Sequence, residues 1–359
     1  MGTTEGDTPV KTRRRQALWG ILIAVLLVCT ILGFVASRFG HLTLPVAKKE
    51  QFTSPNLADF PSRLHFSGHL VLDDSGTTVI LKGLMPPDPY KLAGDDNLNR
   101  TFFQGMEKTG ANVIRIPVHA EHWENDEYYL WRYLDPIVMW AGEMQMYVII
   151  DWHSIGNVVT GAGAQMPDTR QKPMDLALSF WSTTARYFRD APNVIFEVFN
   201  EPESISPMEW KAGAEKLIEA TRAQGADQMV IVGGTDFGKD LSWVLESPVS
   251  DGNVAYASHI YPAHASAGWS GWFGNVAEKY PVISTEWGYA NSAQTGVPSY
   301  LIGNRPDYGE PFLEYLADKG AGWVACWYDD EWLPPMFAEG QDQLTDYGEF
   351  VLESLHGND

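Results

Sequence analysis

The amino-acid sequence predicts an α/β protein, a (β/α)8 barrel preceded by an N-terminal transmembrane helix. Two observations predict the barrel: short apolar, β-branched runs recur along the chain, and helix-compatible stretches separate them. A long uncharged run near the N-terminus predicts the membrane helix. The 359 residues therefore divide into a basic cytoplasmic tail, a membrane anchor, a linker and one large globular domain: 1–16, 17–37, 38–60 and 61–359.

The run from 17 to 37, ALWGILIAVLLVCTILGFVAS, contains no charge and has the length that a helix needs to cross a bilayer. A lysine and three arginines lie within residues 11–15, whereas only Arg38 follows closely. By the positive-inside rule, the tail stays in the cytoplasm and the rest of the chain is exported. A cleaved signal peptide, whose apolar region is usually shorter, is the alternative and would place the domain on the same side.

The segment 38–60 has a mixed polar composition without a sustained period, which predicts a linker. The next stretch, FSGHLVLDDSGTTVILKG, alternates apolar and polar residues around an Asp-Asp-Ser-Gly turn. This pattern predicts a hairpin that leads into the first core strand.

Eight apolar runs predict the strands of the barrel, at 79–83, 112–117, 146–151, 194–200, 229–233, 254–259, 281–286 and 322–327. Strands that are buried on both faces and alternate with helices form parallel βα units, and eight such units fit a closed barrel. An open doubly wound sheet is the alternative. It has less support because no Gly-x-Gly-x-x-Gly follows an early strand.

The charge and the cysteine content of the chain argue against one class of partner and against a disulfide. The formal net charge is −21 and the pI about 4.7, which argues against nucleic acid because a phosphate-binding surface needs clustered lysines and arginines. Only two cysteines are present, and Cys29 lies inside the apolar N-terminal run whereas Cys326 lies near the other end. We therefore expect no disulfide between them.

Polar and aromatic residues stand at or just beyond six predicted strands, where a barrel of this kind carries its active site. In chain order these residues are Arg115, His153, Asn200, Glu201, His259, Tyr261, Glu286 and Trp327. Two are carboxylates, and paired carboxyls suit glycoside hydrolysis, in which one protonates the leaving oxygen and the other attacks or stabilises the cationic sugar carbon. Pro202 restricts Glu201 to an extended conformation, which predicts that the strand persists to Glu201. Glu197, deeper on the same strand, is interpreted as a buried structural acid.

These residues resemble glycoside hydrolase family 5, the cellulase family of clan A. The motifs that carry the resemblance are Asn200-Glu201-Pro202, His259-Ile260-Tyr261, Asp151-Trp152-His153, PVISTEWG from 281 to 288, and Arg115 before Ile116-Pro117. The resemblance covers about residues 64–355. It implies retaining catalysis, with Glu201 as acid/base and Glu286 as nucleophile, their carboxyls about 5–5.5 Å apart.

Further roles follow for the surrounding side chains. Arg115 and the Tyr261 hydroxyl are expected to hold Glu286 ionised, and that charge keeps Glu201 protonated for the first step. The resemblance implies that His153 and His259 bind sugar and that Trp327 is a stacking platform beneath it. Asn200 is expected to hydrogen-bond a sugar hydroxyl.

The sequence thus predicts an exported, membrane-anchored endo-β-1,4-glucanase that acts on a β-linked polysaccharide or oligosaccharide and needs neither a metal nor an organic cofactor. A β-mannanase or other β-glycanase of the same family, a non-catalytic polysaccharide receptor at the cell surface, and an enzyme that remodels the cell's own envelope polysaccharide are the alternatives. Ser154 stands where many family members have a second histidine, and LMPPDPYKLAG follows the first strand. Both departures leave the substrate and its subsites open.

Overall fold

The computed structural model describes residues 46–291, 296–340 and 342–357. The predicted cytoplasmic tail, the predicted membrane helix and the first part of the predicted linker lie outside these residues. Within the described part of the chain, no helix is long and apolar enough to cross a membrane.

Twelve β-strands form in the described residues: β1 (His65–Ser67), β2 (Leu70–Leu72), β3 (Lys82–Met85), β4 (Val113–Val118), β5 (Tyr147–Trp152), β6 (Ile155–Gly156), β7 (Val194–Glu197), β8 (Glu201–Pro202), β9 (Val230–Gly233), β10 (Val254–Ala257), β11 (Val282–Trp287) and β12 (Gly322–Cys326). Eight of them close into a parallel barrel in the order β3-β4-β5-β7-β9-β10-β11-β12, with β12 pairing back to β3. This confirms the predicted (β/α)8 barrel.

The helices around the barrel are α1 (Pro89–Gly94), α2 (Arg100–Glu107), α3 (Ala120–Asn125), α4 (Asp135–Glu143), α5 (Pro173–Phe188), α6 (Pro207–Arg222), α7 (Asn275–Ala277), α8 (Glu310–Asp318) and α9 (Asp346–His356). Helix α6 shows why they form where they do. Ser206 accepts a hydrogen bond from the Glu209 amide at its N-terminus, and Pro207 occupies the first helical position. Trp210, one of its buried residues, donates from Nε1 to the carbonyl of Gly233 at 2.8 Å, which ties α6 to β9.

Alternation along the strands separates two apolar layers. In β4, Val113 packs inside the barrel, whereas Ile114 and Ile116 pack between the barrel and its helices. The side chain of Arg115 is buried and reaches residues of β3, β7 and β11, so it points inward. The apolar barrel core therefore gives way to polar side chains towards the C-terminal ends of the strands.

Most predicted strand ends differ from the structure by one or two residues, and two differ by more. The first core strand was predicted at 79–83 but spans Lys82–Met85, because the amide of Val79 donates to Val71 and extends the preceding hairpin instead. The fourth barrel strand ends at Glu197, not at Glu201. The prediction that strand geometry continues unbroken to Glu201 is therefore wrong.

The predicted hairpin forms, but its two strands are joined at Gly68 and not at the Asp-Asp-Ser-Gly turn. Strands β1 and β2 pair antiparallel and are joined at Gly68, whose φ of 63° suits a residue without a side chain. The Asp-Asp-Ser-Gly turn follows β2, where the carboxylate of Asp73 accepts from the amides of Ser75 and Thr77. This second turn returns the chain to a bridge between Leu72 and Thr78.

Part of the predicted linker packs on the barrel domain. Phe52 and Phe60 are buried, and the Phe52 amide donates to the Tyr187 carbonyl at 2.9 Å. The Phe52 ring lies 5.5 Å from the ring of Phe188, centroid to centroid. The apolar contacts of the domain thus begin before residue 61.

Candidate active site

We call the opening formed by the C-terminal ends of the barrel strands the mouth. A buried arginine, Arg115, lies at its centre and binds several side chains there. Its Nε donates to Glu197 at 2.6 Å, Nη1 to Glu286 at 3.0 Å and Nη2 to Asn200 at 2.7 Å. Its Nη2 also lies 3.1 Å from the carboxylate of Asp151. The guanidinium of Arg115, on β4, thereby binds side chains at β5, β7 and β11. Its planar arrangement of several N–H donors allows these contacts to form at the same time.

Glu286 is brought into the mouth by an irregularity in β11. Ser284 pairs with Trp323 and Trp287 with Ala325, so β11 has one residue more than β12 over this interval. Such a bulge re-aims the side chains beside it. As a result Thr285 and Glu286, neighbours that strict alternation would place on opposite faces, both contact side chains of the barrel interior.

The surroundings of Glu286 favour its ionised form. The Tyr261 hydroxyl donates to Oε1 at 2.5 Å, and Arg115 donates to Oε2. Burial alone would raise the pKa of this carboxyl, but the nearby His259 and Arg115 outweigh burial and lower the pKa to about 2. These contacts therefore favour the carboxylate form of Glu286.

Glu201 reaches the mouth through a change of strand partner. After β7 ends, the amide of Val198 still donates towards β9, whereas the amides of Asn200 and Glu201 donate to Trp152 and Ser154. Glu201 and Pro202 then form β8, which pairs with β6. The extended conformation expected before proline is thus present, in a separate short strand.

The pKa of Glu201 shifts in the opposite direction from that of Glu286. Its Oε1 lies 2.9 Å from Nδ1 of His259. Burial raises the pKa of Glu201, the hydrogen bond with His259 lowers it, and the negative charge of Glu286 raises it again, so that the net direction is upward. The two carboxyls therefore differ in proton affinity, and they are close: one oxygen from each, together with a ring nitrogen of His259, lie within 4.8 Å of one another.

A chain of hydrogen bonds continues from His259 away from Glu201. Nε2 of His259 lies 3.0 Å from the Thr285 hydroxyl, and this hydroxyl donates to Oε1 of Glu197 at 2.7 Å. The other oxygen of Glu197 binds Arg115. Glu197 is fully buried, as the sequence interpretation expected. It also connects Arg115, which binds Glu286, with Thr285 and His259 on the side of Glu201.

His153 is held by Asp151, with 2.6 Å between Nδ1 and the carboxylate. Burial lowers the pKa of His153 well below its usual value, so this histidine is neutral, with Nδ1–H bound to Asp151 and Nε2 left as an acceptor. Burial raises the pKa of Asp151 to about 7, against the opposing effect of Arg115.

Aromatic rings line one side of the mouth, on the segments after β12, β5, β4 and β3. Trp327, joined to Cys326 by a cis peptide bond, makes an edge contact with His153 at 5.8 Å. His153 stacks on His119 at 5.1 Å, His119 on His122 at 5.5 Å, and His122 on the exposed Tyr90 at 4.4 Å.

Other exposed rings belong to the opposite part of the rim. Phe237 follows β9, and its amide donates to the carbonyl of Pro202. Tyr300 follows β11 and makes an edge contact with Tyr261 at 5.4 Å. The mouth therefore presents rings to solvent on both sides of the carboxyl pair.

The eight site residues predicted from the sequence all lie in this mouth or in direct contact with it. The sequence reasoning missed the contribution of Thr285, the column formed by His119, His122 and Tyr90, and the loop residue Gly238. His119 directly follows β4, and its position at a strand end was a usable signal. Nothing in the local pattern pointed to Thr285, because alternation assigns it to the face opposite Glu286.

Among the residues that the structure describes, two groups of side chains offer donor atoms of the kinds that bind metal ions: Asp88 with His119 and His122, and the carboxyl pair with His259. In the first group both oxygens of Asp88 already accept hydrogen bonds, from the amides of Tyr90 and His119. In the second, Nδ1 of His259 is hydrogen-bonded within the group, to Glu201, and Nε2 is bound to the Thr285 hydroxyl. We assign neither group to a metal.

Known proteins similar to this chain were identified by sequence and by structure. The family model for cellulase, glycosyl hydrolase family 5, matches residues 72–330. A β-glucanase from Saccharophagus degradans has a solved structure with a TM-score of 0.80 and 26% sequence identity, covering 88% of this chain and 98% of that one. The same β-glucanase has also been solved in complex with cellotetraose, with equal TM-score and identity and a coverage of 89% and 99%.

Among curated proteins, an endoglucanase from Thermobifida fusca is 24% identical over 230 residues, which are 62% of this chain and 46% of that protein. A cellulase from a Thermoanaerobacterium species is 25% identical over 334 residues, which are 86% of this chain and 80% of that protein. The chain thus spans about half the length of the first of these relatives and most of the second.

Proposed function

We propose that this chain, which belongs to the cellulase family, glycosyl hydrolase family 5, is a retaining endo-β-1,4-glucanase. The observation that carries the proposal is the pair formed by Glu201 and Glu286: one oxygen of each lies within 4.8 Å of the other, and their pKa values shift in opposite directions. Inverting glycosidases separate their carboxyls by about 6.5–9.5 Å to leave room for a water molecule. The short separation supports direct attack by one carboxylate.

In the first step Glu286, ionised, attacks the anomeric carbon and forms a glycosyl ester, while Glu201 gives its proton to the departing sugar oxygen. The negative charge of Glu286 disappears in the ester, which removes one cause of the raised pKa of Glu201. Glu201, now ionised, takes a proton from water, and the resulting hydroxide oxygen attacks the anomeric carbon. The ester bond breaks and Glu286 becomes a carboxylate again, while Glu201 keeps the proton that it took from water.

The remaining side chains have binding roles in this proposal. Nδ2 of Asn200 is buried without a protein partner and is free to donate to a sugar hydroxyl, since its Oδ1 is occupied by Arg115. Nε2 of neutral His153 accepts from another hydroxyl. The indole of Trp327 provides the flat apolar surface that suits a pyranose ring.

A β-glucan is the proposed substrate, and action within the polymer is the proposed mode. The β-glucanase from Saccharophagus degradans, solved with cellotetraose, supports a β-linked glucose oligomer. Exposed rings on both sides of the carboxyl pair, Tyr90 on one and Phe237 and Tyr300 on the other, support binding of a chain that continues in both directions.

Reducing-sugar release by the full-length chain on carboxymethylcellulose, mixed-linkage β-glucan and glucomannan tests this proposal, with Glu201→Gln and Glu286→Gln as inactive comparisons. Proton NMR of the first product on a cello-oligosaccharide reports its anomeric form. Release of a β-anomer from glucan supports the proposal. Release from glucomannan alone, an α-anomer, or no release by the intact chain would contradict it.

We also propose that the domain is exported and held at the membrane by residues 17–37. The uncharged run and the basic residues before it support this orientation. Fractionation of the producing cells, followed by protease treatment of intact cells or spheroplasts, tests it. Recovery of the intact chain with the membrane, and its digestion from the outside, would agree with an anchor, whereas release of a shortened chain would indicate cleavage.

A further inference from the structure

The ring of His259 is fixed in position by the loop that follows β9. The backbone amide of His259 donates to the carbonyl of Gly238 at 3.1 Å, and Gly238 has a φ of 74°. A Cβ atom added at Gly238 would lie 2.8 Å from Nδ1 of His259, so the loop backbone rests against the ring. The ring therefore has little freedom to turn, and its chemistry depends on which nitrogen carries hydrogen.

The Thr285 hydroxyl determines that choice. This hydroxyl has one hydrogen, and Oε1 of Glu197, 2.7 Å away, accepts it. Burial raises the pKa of Glu197, but the guanidinium of Arg115, bound to its other oxygen at 2.6 Å, favours the carboxylate that accepts here. With its hydrogen used, the Thr285 oxygen can only accept at Nε2 of His259, 3.0 Å away.

We propose that Thr285 is a positioning residue for Glu201: its hydroxyl keeps the hydrogen of neutral His259 on Nε2, so that Nδ1 faces the Glu201 carboxyl. This inference rests on the proposed role of Glu201 as acid/base. Between Nδ1 and Oε1 of Glu201, 2.9 Å apart, there is then one shared proton. While that proton is present, the pair is hydrogen-bonded, whichever atom holds it.

Loss of the shared proton leaves an Nδ1 lone pair facing a carboxylate. This repulsion opposes deprotonation and keeps Glu201 ready to act as an acid at higher pH. Without Thr285 the neutral imidazole is free to carry its hydrogen on Nδ1 and donate to ionised Glu201. Deprotonation of the pair then becomes easier.

Other charged or titratable groups also act on the pair. They are Arg115 from β4, Asp151 and His153 at the end of β5, Glu197 from β7 and Glu286 from β11, together with Tyr261 and His264 from the loop after β10 and Tyr300 from the loop after β11. A substitution at Thr285 leaves all of these residues in the chain, but loss of the hydroxyl also removes the hydrogen bond that Glu197 accepts. The tautomer of His259 therefore has to be measured directly, beside the pH profile.

The first experiment compares the pH dependence of kcat/KM on β-glucan for the full-length protein, Thr285→Val and Thr285→Ser. Valine has the shape of threonine without the hydroxyl, whereas serine keeps the hydroxyl. We expect the alkaline limb of Thr285→Val to move down by about one pH unit, equivalent to about 1.4 kcal/mol and within the range for one hydrogen bond, and that of Thr285→Ser to stay near wild type. Coincident alkaline limbs in wild type and Thr285→Val would overturn the inference.

A second experiment does not depend on activity. In the full-length protein labelled with ¹⁵N-histidine, long-range proton–nitrogen correlations identify which ring nitrogen of neutral His259 carries hydrogen, with His259→Gln providing the assignment. We expect hydrogen on Nε2 in wild type at a pH above the alkaline limb, and on Nδ1 in Thr285→Val. Hydrogen on Nδ1 in the wild-type protein would overturn the role of Thr285 even if Thr285→Val failed to fold. Absence of glucan hydrolysis would instead contradict the proposed function and leave the NMR test decisive.

Discussion

Nη1 of Arg115 lies 3.0 Å from Oε2 of Glu286, although the two residues are 171 positions apart in the chain. The guanidinium is buried and also binds Glu197 and Asn200, so its charge acts on Glu286 with little screening by water. The contact thereby opposes the effect of burial on Glu286 and favours the carboxylate that attack on a sugar carbon requires.

The first prediction concerns Arg115→Lys. A lysine ammonium cannot satisfy the separate acceptors that the guanidinium fork binds, so we expect the pKa of Glu286 to rise and kcat/KM on β-glucan to fall by about 10²-fold. Because Glu286 is then protonated at a higher pH, the acidic limb of the pH profile should move upward. Arg222→Lys, at the partly exposed pair with Asp251, is the matched control. An unchanged acidic limb in Arg115→Lys would show that the cation does not control Glu286.

The second prediction separates proton donation from nucleophilic attack. Glu201→Gln cannot donate a proton, so we expect hydrolysis of β-glucan to fall by about 10³-fold or more, within the upper range for general acid catalysis combined with loss of the base. An aryl cellobioside with a dinitrophenolate leaving group needs little protonation, and its first-step burst should be far less affected. Glu203→Gln, two residues away, should retain activity on both substrates. Equal losses of Glu201→Gln on both substrates would contradict its role as the acid.

A third prediction follows from the packing of the loop after β9. In Gly238→Ala the new Cβ would meet the His259 ring at 2.8 Å from Nδ1, and the positive φ of residue 238 disfavours alanine. We expect kcat to fall at least about tenfold, since a small displacement of a catalytic group is costly. Gly252→Ala, where an added Cβ meets no atom within 4 Å, serves as the control. Wild-type kcat in Gly238→Ala would mean that the ring tolerates displacement.

The fourth prediction is a pH dependence of stability. Burial raises the pKa of Asp151 from 3.8 to about 7, so its favourable contribution is complete below pH 3.8 and is lost as the pH rises through about 7. Asparagine has the shape of the protonated acid and does not ionise. The Tm of Asp151→Asn minus that of wild type should therefore increase by a few degrees between pH 4 and pH 8.

Asp190→Asn, in which the exchanged side chain is largely exposed, is the control for this measurement. Its Tm difference from wild type should stay nearly constant over the same pH range. A difference for Asp151→Asn that is constant, or that decreases with pH, would contradict the raised pKa.

The fifth prediction concerns the proposed sugar platform. Trp327→Ala removes the flat apolar surface next to His153, and we expect the KM for cello-oligosaccharides to rise about tenfold, the worth of one aromatic contact of about 1.4 kcal/mol. Trp327→Phe keeps a smaller ring, and its KM should lie between those of wild type and Trp327→Ala. Trp131→Ala, remote in sequence and hydrogen-bonded to the Lys49 carbonyl, controls for loss of an indole. Equal KM values in Trp327→Ala and wild type would exclude a platform at this position.

The fold and most of the site could be predicted from the sequence because their signals are local. Barrel strands are buried on both faces, which makes them continuous apolar runs, and seven of the eight runs begin within one residue of the observed strand. The exception is the first run, because the apolar pattern at Val79 suits a hairpin strand as well as a barrel strand, and in the structure the Val79 amide donates to Val71 in the hairpin. Polar residues within or at the end of an apolar run, such as Arg115 and Glu286, are also visible locally.

By itself, therefore, the sequence determined which chemical groups stand at the ends of the strands: two glutamates, an arginine, a tyrosine, histidines and a tryptophan. Only the tertiary structure decided how these groups act on one another. The bulge in β11 turns Thr285 and Glu286 into the same interior, and the switch from β7 to β8 brings Glu201 to His259. Both depend on pairing with strands distant along the chain, which a local pattern does not encode.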